Sequence, residues 1–330
     1  MTVYFSEGAE LLRWTDEEWL AEARAWIDEQ LRERGLSRTD DIAQVYVRSW
    51  STVLRVPTER GALFFKASAP VQAVEVPLVI ALAELRPDVV APLAYDEERA
   101  WMLMRDGGTR LRELPQRRDH ATWRTIVTQY ADLQRVVAPH VDALVAIGVP
   151  DLRLDELPAR FRDLVADEEL LLVDREGGLT RREHDRLAAW TRPFAELCDT
   201  LAEYGVPETI EHNDLHDGNV FVRGGRAFFF DWGDASISHP FHSMRTTLAV
   251  VANIFGVPRG DALLADLRDA YLAGFGDVQE LAVPFELAQR TAIVAKALTF
   301  VPFVSSMPPA FRRRYEHTIA NVLRKATDAA

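Results

Sequence analysis

Two short apolar segments enclose a polar loop in the stretch Ile210-Glu-His-Asn-Asp214-Leu-His-Asp-Gly-Asn219-Val-Phe-Val222, which precedes Ala227-Phe-Phe-Phe-Asp231-Trp-Gly-Asp-Ala235. Asp214 and Asn219 lie five residues apart across a loop that Gly218 allows to turn sharply. Asp231 ends the apolar segment 228–230, whose packing fixes the direction of its carboxylate. The intervening Arg223-Gly-Gly-Arg226 predicts a tight hairpin.

The residue types in this loop suit phosphoryl transfer to a hydroxyl group. That reaction needs a carboxylate to accept the hydroxyl proton and oxygen ligands that hold Mg²⁺ against the phosphates. Mg²⁺ prefers hard oxygen donors and takes only one or two of them from protein. Asp214 is therefore the candidate base, and Asn219 and Asp231 are the candidate Mg²⁺ ligands.

The pattern from His212 to Asn219, followed twelve residues later by Asp231-Trp-Gly, resembles the aminoglycoside phosphotransferase-like family. That family includes choline, homoserine and methylthioribose kinases and has a protein-kinase-like fold. The resemblance covers most of the chain beyond residue 40. It implies an ATP- and Mg²⁺-dependent small-molecule kinase.

The resemblance also assigns roles to individual residues. Asp214 matches the catalytic base, and Asn219 and Asp231 match the two Mg²⁺ ligands. His212 matches a residue that braces the catalytic loop, and Asp217 matches a further acidic position of that loop.

Two positions depart from the family pattern. The second loop position is usually Gly and is Asn213 here, which is a modest change because Asn also tolerates left-handed backbone angles. Ser243 stands where many members have a buried acid that braces the catalytic loop. This second departure puts the support of the loop in question.

The first third of the chain is predicted to form a five-stranded antiparallel sheet that carries one helix. Strands are expected at residues 42–50, 53–56, 62–66, 89–95 and 99–105, with a helix at 71–85. A helix opened by the capping box Thr15-Asp-Glu-Glu18 and running to about Arg34 precedes them.

Helices dominate after Gly107-Gly108, which is a natural hinge. They are expected at residues 120–147, 157–167, 180–204, 240–255, 261–274, 281–301 and 310–326. The predicted fold class is α+β, a protein-kinase-like two-lobe fold. Residues 1–106 form a nucleotide-binding lobe with a helical extension over 1–40, and residues 107–330 form a helical lobe with the catalytic loop and the acceptor pocket.

A kinase needs a lysine for the ATP phosphates and a glutamate that aims it. Lys66 ends an apolar strand and Glu75 lies in an apolar helix, so an ion pair between them would resolve two costly charges. The turn Ser49-Trp-Ser51-Thr52 lacks glycine, but its hydroxyl and amide groups could contact phosphate. Met104, Arg105 and Asp106 are the expected interlobe hinge that contacts adenine.

Composition narrows the possible partners and location. The 330 residues carry a formal net charge of −13, which disfavours binding to nucleic acid. No run of about 20 apolar residues and no signal peptide is expected, and the one cysteine, Cys198, forms no internal disulfide. A cytoplasmic protein with no membrane partner follows as an expectation, whereas the oligomeric state cannot be read from the sequence.

The acceptor is expected to be a small hydroxyl-bearing molecule: a sugar, nucleoside, amino alcohol, antibiotic or secondary metabolite. Residues 281–330 are net basic, which argues mildly against a polycationic aminoglycoside. Their acids are Glu286, Glu316 and Asp328, and their bases are Arg290, Lys296, Arg312, Arg313, Arg314, Arg324 and Lys325. The pocket should be walled by residues 234–242 and by the helices after residue 260.

Two alternative functions stay open at this stage. One is a catalytically silent nucleotide-binding protein, although no catalytic position is visibly lost. The other is a zinc-dependent hydrolase, because several side chains are of zinc-binding type. These are His212, Asp214, His216, His239 and His242.

Overall fold

A computed structural model describes residues 4–5, 13–307 and 309–327. Six strands form the N-terminal sheet: β1 (Tyr4–Phe5), β2 (Ala43–Val47), β3 (Ser51–Thr58), β4 (Gly61–Ser68), β5 (Pro92–Asp96) and β6 (Trp101–Arg105). Their order is β1-β2-β3-β4-β6-β5. The five predicted strands pair antiparallel, and the prediction missed β1, which pairs parallel with β2. A two-residue strand has no periodicity that a sequence pattern can reveal.

Helix α1 (Glu17–Glu33) begins one residue later than the predicted capping box implies. Asp16, not Thr15, is the N-cap: its carboxylate accepts the backbone N–H groups of Glu18 at 2.8 Å and Trp19 at 3.2 Å. The rest of the predicted extension, residues 1–3 and 6–12, lies outside the described residues, as do residues 328–330 at the other end.

Both faces of the sheet are covered, because side chains alternate along each strand. Trp101 and Leu103 of β6 pack with α1. Met102, between them, faces the larger core together with α2 (Glu75–Leu85). The Trp101 ring lies 5.3 Å from that of Phe65 and 5.7 Å from that of Trp26, both edge-on, the geometry that aromatic pairs prefer.

Helices make up most of the remaining chain. They are α3 (His120–Val137), α4 (Val141–Ala146), α5 (Leu157–Ala166), α6 (Arg181–Ala202), α7 (Ser243–Phe255), α8 (Ala262–Leu272), α9 (Val278–Ser306), α10 (Pro309–Tyr315) and α11 (Thr318–Thr327). The predicted helix 120–147 is divided at a short 3₁₀ turn that contains Pro139. The predicted helix 310–326 is likewise two helices.

Helix α9 is longer than the prediction of 281–301. It starts at an N-cap, Asp277, and continues through Pro302. By length and mean hydropathy it is apolar enough to cross a membrane, in contrast to the expectation that no segment would be. In this protein it packs into the larger core through Phe285, Ala288 and Val294, among others.

Two short ribbons interrupt the helices. Strand β7 (Thr209–Glu211) pairs with β10 (Ser236–Ser238), and β8 (Val220–Arg223) pairs with β9 (Arg226–Phe229). The turn of the second ribbon is Gly224-Gly225, with φ angles of +59° and +74°. Positive φ at both central residues is the signature of a type I′ turn, so the predicted hairpin is confirmed.

An aromatic contact connects the sheet to the C-terminal helices. Trp50, in the turn between β2 and β3, packs edge-on against Phe303 of α9 at 5.1 Å and against Tyr315 of α10 at 5.9 Å. The predicted α+β class is confirmed: an N-terminal antiparallel sheet precedes a larger helical part.

Gly107, directly after β6, packs so closely on Phe221 that a Cβ atom there would lie 2.3 Å from the ring. We expect Gly107→Ala to lower the free energy of unfolding by about 1–3 kcal/mol, the usual cost of overpacking. Gly260→Ala is the matched control, because no atom lies within 4 Å of the place that its Cβ would take. Denaturant unfolding of both variants tests this, and equal stability of the two would contradict the packing argument.

Candidate active site

The β8–β9 ribbon brings two of the predicted site residues to one end. Val220 is paired with Phe229, and the Phe230 N–H donates to the Asn219 carbonyl at 3.3 Å. Asn219 therefore lies opposite Phe230, and Asp231 is the next residue along. The register of a hairpin with a two-residue turn fixes this juxtaposition.

Asp214 is held by Asn219 on one side and His216 on the other. The Asn219 amide Nδ2 donates to the Asp214 carbonyl at 3.0 Å and to its Oδ2 at 3.3 Å. The His216 Nε2 atom lies 3.3 Å from the same Oδ2, and 39% of the Asp214 side chain stays exposed. Burial opposes ionisation, but the His216 hydrogen bond and the charge of Lys296 lower the pKa of Asp214 to about 2.

His212 ties the loop to the segment that carries Asp231. It is fully buried, its Nε2 donates to the Phe230 carbonyl at 3.0 Å, and its ring lies 4.6 Å from that of Trp232. Burial lowers the pKa of His212, so the neutral ring is favoured. These contacts are those of a brace, the role that the sequence pattern suggested.

Asn213 and Asp231 both have left-handed backbone angles, with φ of +60° and +66°. Asn213 thus takes the backbone conformation expected of the glycine it replaces. Its side chain does more than a glycine could: Nδ2 donates to the Asp234 carbonyl at 2.8 Å and to the Ser236 hydroxyl at 2.9 Å. The substitution adds a connection between the loop and the segment after Asp231.

The charged groups of Lys66, Glu75 and Asp231 converge, with Lys66 and Glu75 buried and Asp231 half-exposed. The Lys66 Nζ atom lies 2.6 Å from Glu75 Oε1 and 2.6 Å from Asp231 Oδ1. Burial alone would favour the neutral amine, but the two carboxylates raise the pKa of Lys66. Glu75 also accepts from the Ser68 hydroxyl and from the Trp232 N–H, both at 3.1 Å. The ion pair expected between Lys66 and Glu75 is present, and Asp231 joins it.

Asp217 lies apart from this cluster and anchors the other side of the loop. Its carboxylate accepts from Arg117 Nε at 2.6 Å and lies 3.4 Å from Arg112, and only 7% of its side chain is exposed. The Arg112 guanidinium also covers Gly218 so closely that a Cβ atom there would clash with it. The contacts of Asp217 therefore hold the loop in place against Arg112 and Arg117.

The turn between β2 and β3 differs from the expectation of hydroxyl groups open to phosphate. Thr52 is fully buried, and its hydroxyl donates to the Tyr46 carbonyl at 2.8 Å, so it is not available to a ligand. Ser51 is buried as well. Ser49 is half-buried as a residue, but its Oγ atom is buried and has no hydrogen-bond partner among the described residues.

The predicted hinge residues lie at the end of β6. Met104 is half-buried and pairs with Phe64 of β4. Arg105 and Asp106 are exposed, and the Asp106 carboxylate accepts the Gly108 N–H at 2.9 Å. Phe221 lies against Gly107, and its ring stacks on that of Phe230 at 4.0 Å. The sequence did not predict this aromatic pair, although Phe221 follows Asn219 by two residues and Phe230 directly precedes Asp231.

Glu211 is a second residue that sequence reasoning missed. It is 2% exposed, accepts the Asn213 N–H at 2.9 Å and accepts a very short hydrogen bond from the Ser243 hydroxyl. The Tyr130 hydroxyl lies 2.9 Å from that Ser243 Oγ and accepts the His212 N–H. An acid does brace the loop, but it comes from β7 instead of position 243. A charge between Ile210 and His212 in a buried strand was the available signal.

Two histidines of the zinc hypothesis, His212 and His242, are bonded to different segments. His242 lies within hydrogen-bond distance of Ser238 at 2.9 Å and Thr291 at 2.8 Å, whereas His212 bonds to Phe230. Within residues 4–5, 13–307 and 309–327, no three His, Cys, Asp or Glu side chains are grouped so that they could hold a metal ion.

Comparison with known proteins identifies one protein family and several solved structures with a similar fold. The model of the phosphotransferase enzyme family APH matches residues 39–281. No curated protein sequence matches the chain significantly.

Three solved structures share the fold. A choline/ethanolamine kinase family protein from Mesorhizobium loti has a TM-score of 0.60 and 15% identity over 94% of this chain and 95% of that chain. The Plasmodium vivax ethanolamine kinase has a TM-score of 0.59 and 11% identity, over 95% of this chain and 88% of that chain. Macrolide 2′-phosphotransferase type I has a TM-score of 0.56 and 17% identity, over 90% of this chain and 96% of that chain.

The buried carboxyl group of Glu211 predicts a pH-dependent stability. Burial raises its pKa from 4.5 to about 7, so the folded state binds the proton more tightly than the unfolded state. The stabilisation is complete below pH 4.5 and is lost as the pH rises through 7. The parent protein should therefore lose stability between pH 5.5 and pH 8, whereas Glu211→Gln should not. The free energy of unfolding of the variant minus that of the parent should rise by about 1–2 kcal/mol over this range.

Urea unfolding of both proteins at the two pH values measures this difference. Glu29→Gln, at an exposed position on α1, is the control and should follow the parent protein. A Glu211→Gln variant whose stability relative to the parent does not change with pH would show that the carboxyl group titrates normally.

Proposed function

Because the chain belongs to the phosphotransferase enzyme family APH, we propose that it transfers the γ-phosphoryl group of ATP to a hydroxyl group of a small molecule. The observation that carries this proposal is the convergence on Asp231. Lys66 bridges Glu75 and Asp231 with 2.6 Å contacts, while Asn219, paired beside Asp231, holds Asp214. A phosphate-binding cation, a metal-binding pair and a base are thus adjacent.

Asp214 orients the acceptor hydroxyl and takes its proton. The acceptor oxygen forms a bond to the γ-phosphorus, the bond from that phosphorus to the β–γ bridging oxygen breaks, and ADP leaves. With a pKa of about 2, Asp214 is fully ionised at neutral pH and is a weak base. Proton transfer is therefore late, after most of the bond to the leaving oxygen has broken, and positioning is the larger contribution.

The proposed Mg²⁺ ligands suit this ion by their chemistry. The Asn219 amide nitrogen faces Asp214, which leaves its carbonyl oxygen Oδ1 for a cation. Asp231 uses Oδ1 for Lys66, and 49% of its side chain is exposed. Both offer hard oxygen donors, which Mg²⁺ prefers. When bound, the ion would neutralise the charge on the phosphate oxygens.

The nucleotide lies on the sheet side in this proposal. Lys66 steadies the α- and β-phosphates, with Glu75 fixing its direction, and backbone amides of the β2–β3 turn are the remaining candidates for phosphate contact. The backbone of residues 104–106 contacts adenine. The stacked rings of Phe221 and Phe230, directly beside Gly107, supply an apolar surface for the base.

The acceptor is a small hydroxyl compound, for which sugars, nucleosides, amino alcohols, antibiotics and secondary metabolites are the classes to screen. The pocket lies beside Asp214, between residues 234–242 and α9. Helix α9 reaches this segment through Thr291, which meets His242, and through Gln289, which donates to the Phe241 carbonyl.

Asp214→Asn tests the proposed base. We expect it to reduce turnover about 10²–10⁴-fold, the usual contribution of general base catalysis, because an amide cannot accept the hydroxyl proton. Mass spectrometry after incubation with ATP, Mg²⁺ and a library of hydroxyl compounds detects the phosphorylated product. Asp163→Asn, at an exposed position of α5, is the matched control.

Equilibrium binding of an ATP analogue separates catalysis from nucleotide binding. Asp214→Asn should keep the affinity of the parent protein, whereas Lys66→Ala should lose it. Absence of any phosphorylated product from the parent protein, with nucleotide binding intact, would favour a catalytically silent protein instead.

A further inference from the structure

Lys296 extends from α9 to the catalytic loop. Its Nζ atom donates to the carbonyl of Asn213, the residue before the proposed base, at 2.7 Å. It also lies 4.9 Å from the centre of the Phe300 ring, one turn further along the helix. The contact joins residues 83 positions apart in the chain. A cation from the C-terminal helices therefore lies beside Asp214.

The charge of Lys296 acts on the carboxyl groups of Asp214, Asp234 and Glu211, but none of them forms a direct ion pair with it. Over the described part of the chain, no carboxylate oxygen lies within 4.0 Å of its Nζ, and the side chain is half-buried. An ammonium group has three N–H donors, and a backbone carbonyl takes one of them. The remaining donors can bind an atom that arrives with a ligand, and an anionic group makes the strongest such hydrogen bond.

Lys296 lies on the acceptor side of the site. Its charge lowers the pKa of Asp214 and acts on Asp234, in the segment that walls the proposed pocket. The two lysines contact different segments. Lys66 contacts Asp231, a proposed metal ligand, at 2.6 Å. Lys296 instead bonds to Asn213, whose side chain bonds to the Asp234 carbonyl in the segment that walls the proposed pocket.

A second cation borders the same helix. Arg245 of α7 donates to the Gln289 carbonyl of α9 at 2.9 Å, seven residues before Lys296, which is about 10 Å along a helix. No carboxylate oxygen lies within 4.0 Å of its guanidinium among the residues that the structure describes. Burial lowers the pKa of Arg245, and the charge of Arg259 adds to this effect. The wall that α9 and α7 form therefore carries two cations, Lys296 and Arg245.

We propose that Lys296 is a specificity-determining residue that binds a carboxylate or phosphate group of the acceptor, so that the physiological acceptor is an anionic hydroxyl compound. This inference rests on the proposed phosphotransfer function. It narrows the proposed acceptors from hydroxyl compounds in general to those that carry a negative charge.

The test combines ligand binding and turnover. Thermal shifts of the parent protein are measured with a library of hydroxyl compounds sorted by charge, including the matched set gluconate, glucose and glucosamine. The same library is applied to Lys296→Met and to the control Lys325→Met, at an exposed position of α11. The best anionic ligand is then used as acceptor with ATP and Mg²⁺.

For that anionic acceptor, Lys296→Met should raise KM about 10- to 100-fold, the value of a hydrogen bond to a charged group, with a much smaller change in kcat. In Lys296→Met, the KM for the neutral analogue should rise much less than the KM for the anionic acceptor, and Lys325→Met should behave as the parent. Lys296→Glu should shift the preference toward cationic compounds.

Three results would overturn the proposal: stabilisation of the parent protein by cationic or neutral compounds only, an unchanged acceptor KM in Lys296→Met, or an equal loss of kcat with every acceptor. The last would place Lys296 on the transferred phosphoryl group. Lys296-dependent binding of anionic compounds without any phosphorylated product would support the anion site while contradicting phosphotransfer, so the two failures are distinguishable.

Discussion

One buried ammonium group connects the sheet to the helical part of this protein. Lys66 belongs to β4, Glu75 begins α2, and Asp231 follows β9, 165 residues from Lys66 along the chain. Removing Lys66 would leave the carboxylate of Glu75 buried without a cation, which is far more costly than the intact pair is stabilising. The three residues therefore specify how the two parts of the molecule meet, and the geometry around Asp231 depends on them.

The second constraint is local. The two-glycine turn sets the register of β8 and β9, and this register places Asn219 beside the residue before Asp231. Asn219 in turn holds Asp214, and His212 binds the Phe230 carbonyl. The β8–β9 ribbon thus brings together the oxygen-bearing side chains of Asp214, Asn219 and Asp231, which are up to 17 residues apart in the sequence.

Much of this arrangement was predictable from sequence. The family, the fold class, the hairpin and the Lys66–Glu75 pair followed from residues whose types and order are specific to them. The misses have physical reasons. Glu211 and Lys296 act through contacts 32 and 83 residues away, which leave no local pattern. Thr52 faces inward because of strand pairing, and β1 is too short to show periodicity. At Thr15 and Asp16, two good capping residues are adjacent, and only the backbone decides between them.

Helix α9 contacts the loop before β8 through Lys296 and the β2–β3 turn through Phe303, which packs on Trp50. One helix thus contacts both the N-terminal sheet and the loop that carries Asp214. If a ligand displaces the turn at Trp50, the displacement reaches Lys296 about two helical turns away. Thermodynamic linkage then requires reciprocity: a ligand at either end of the helix changes the affinity for a ligand at the other end by the same factor. Such coupling between two binding sites would be carried by this helix.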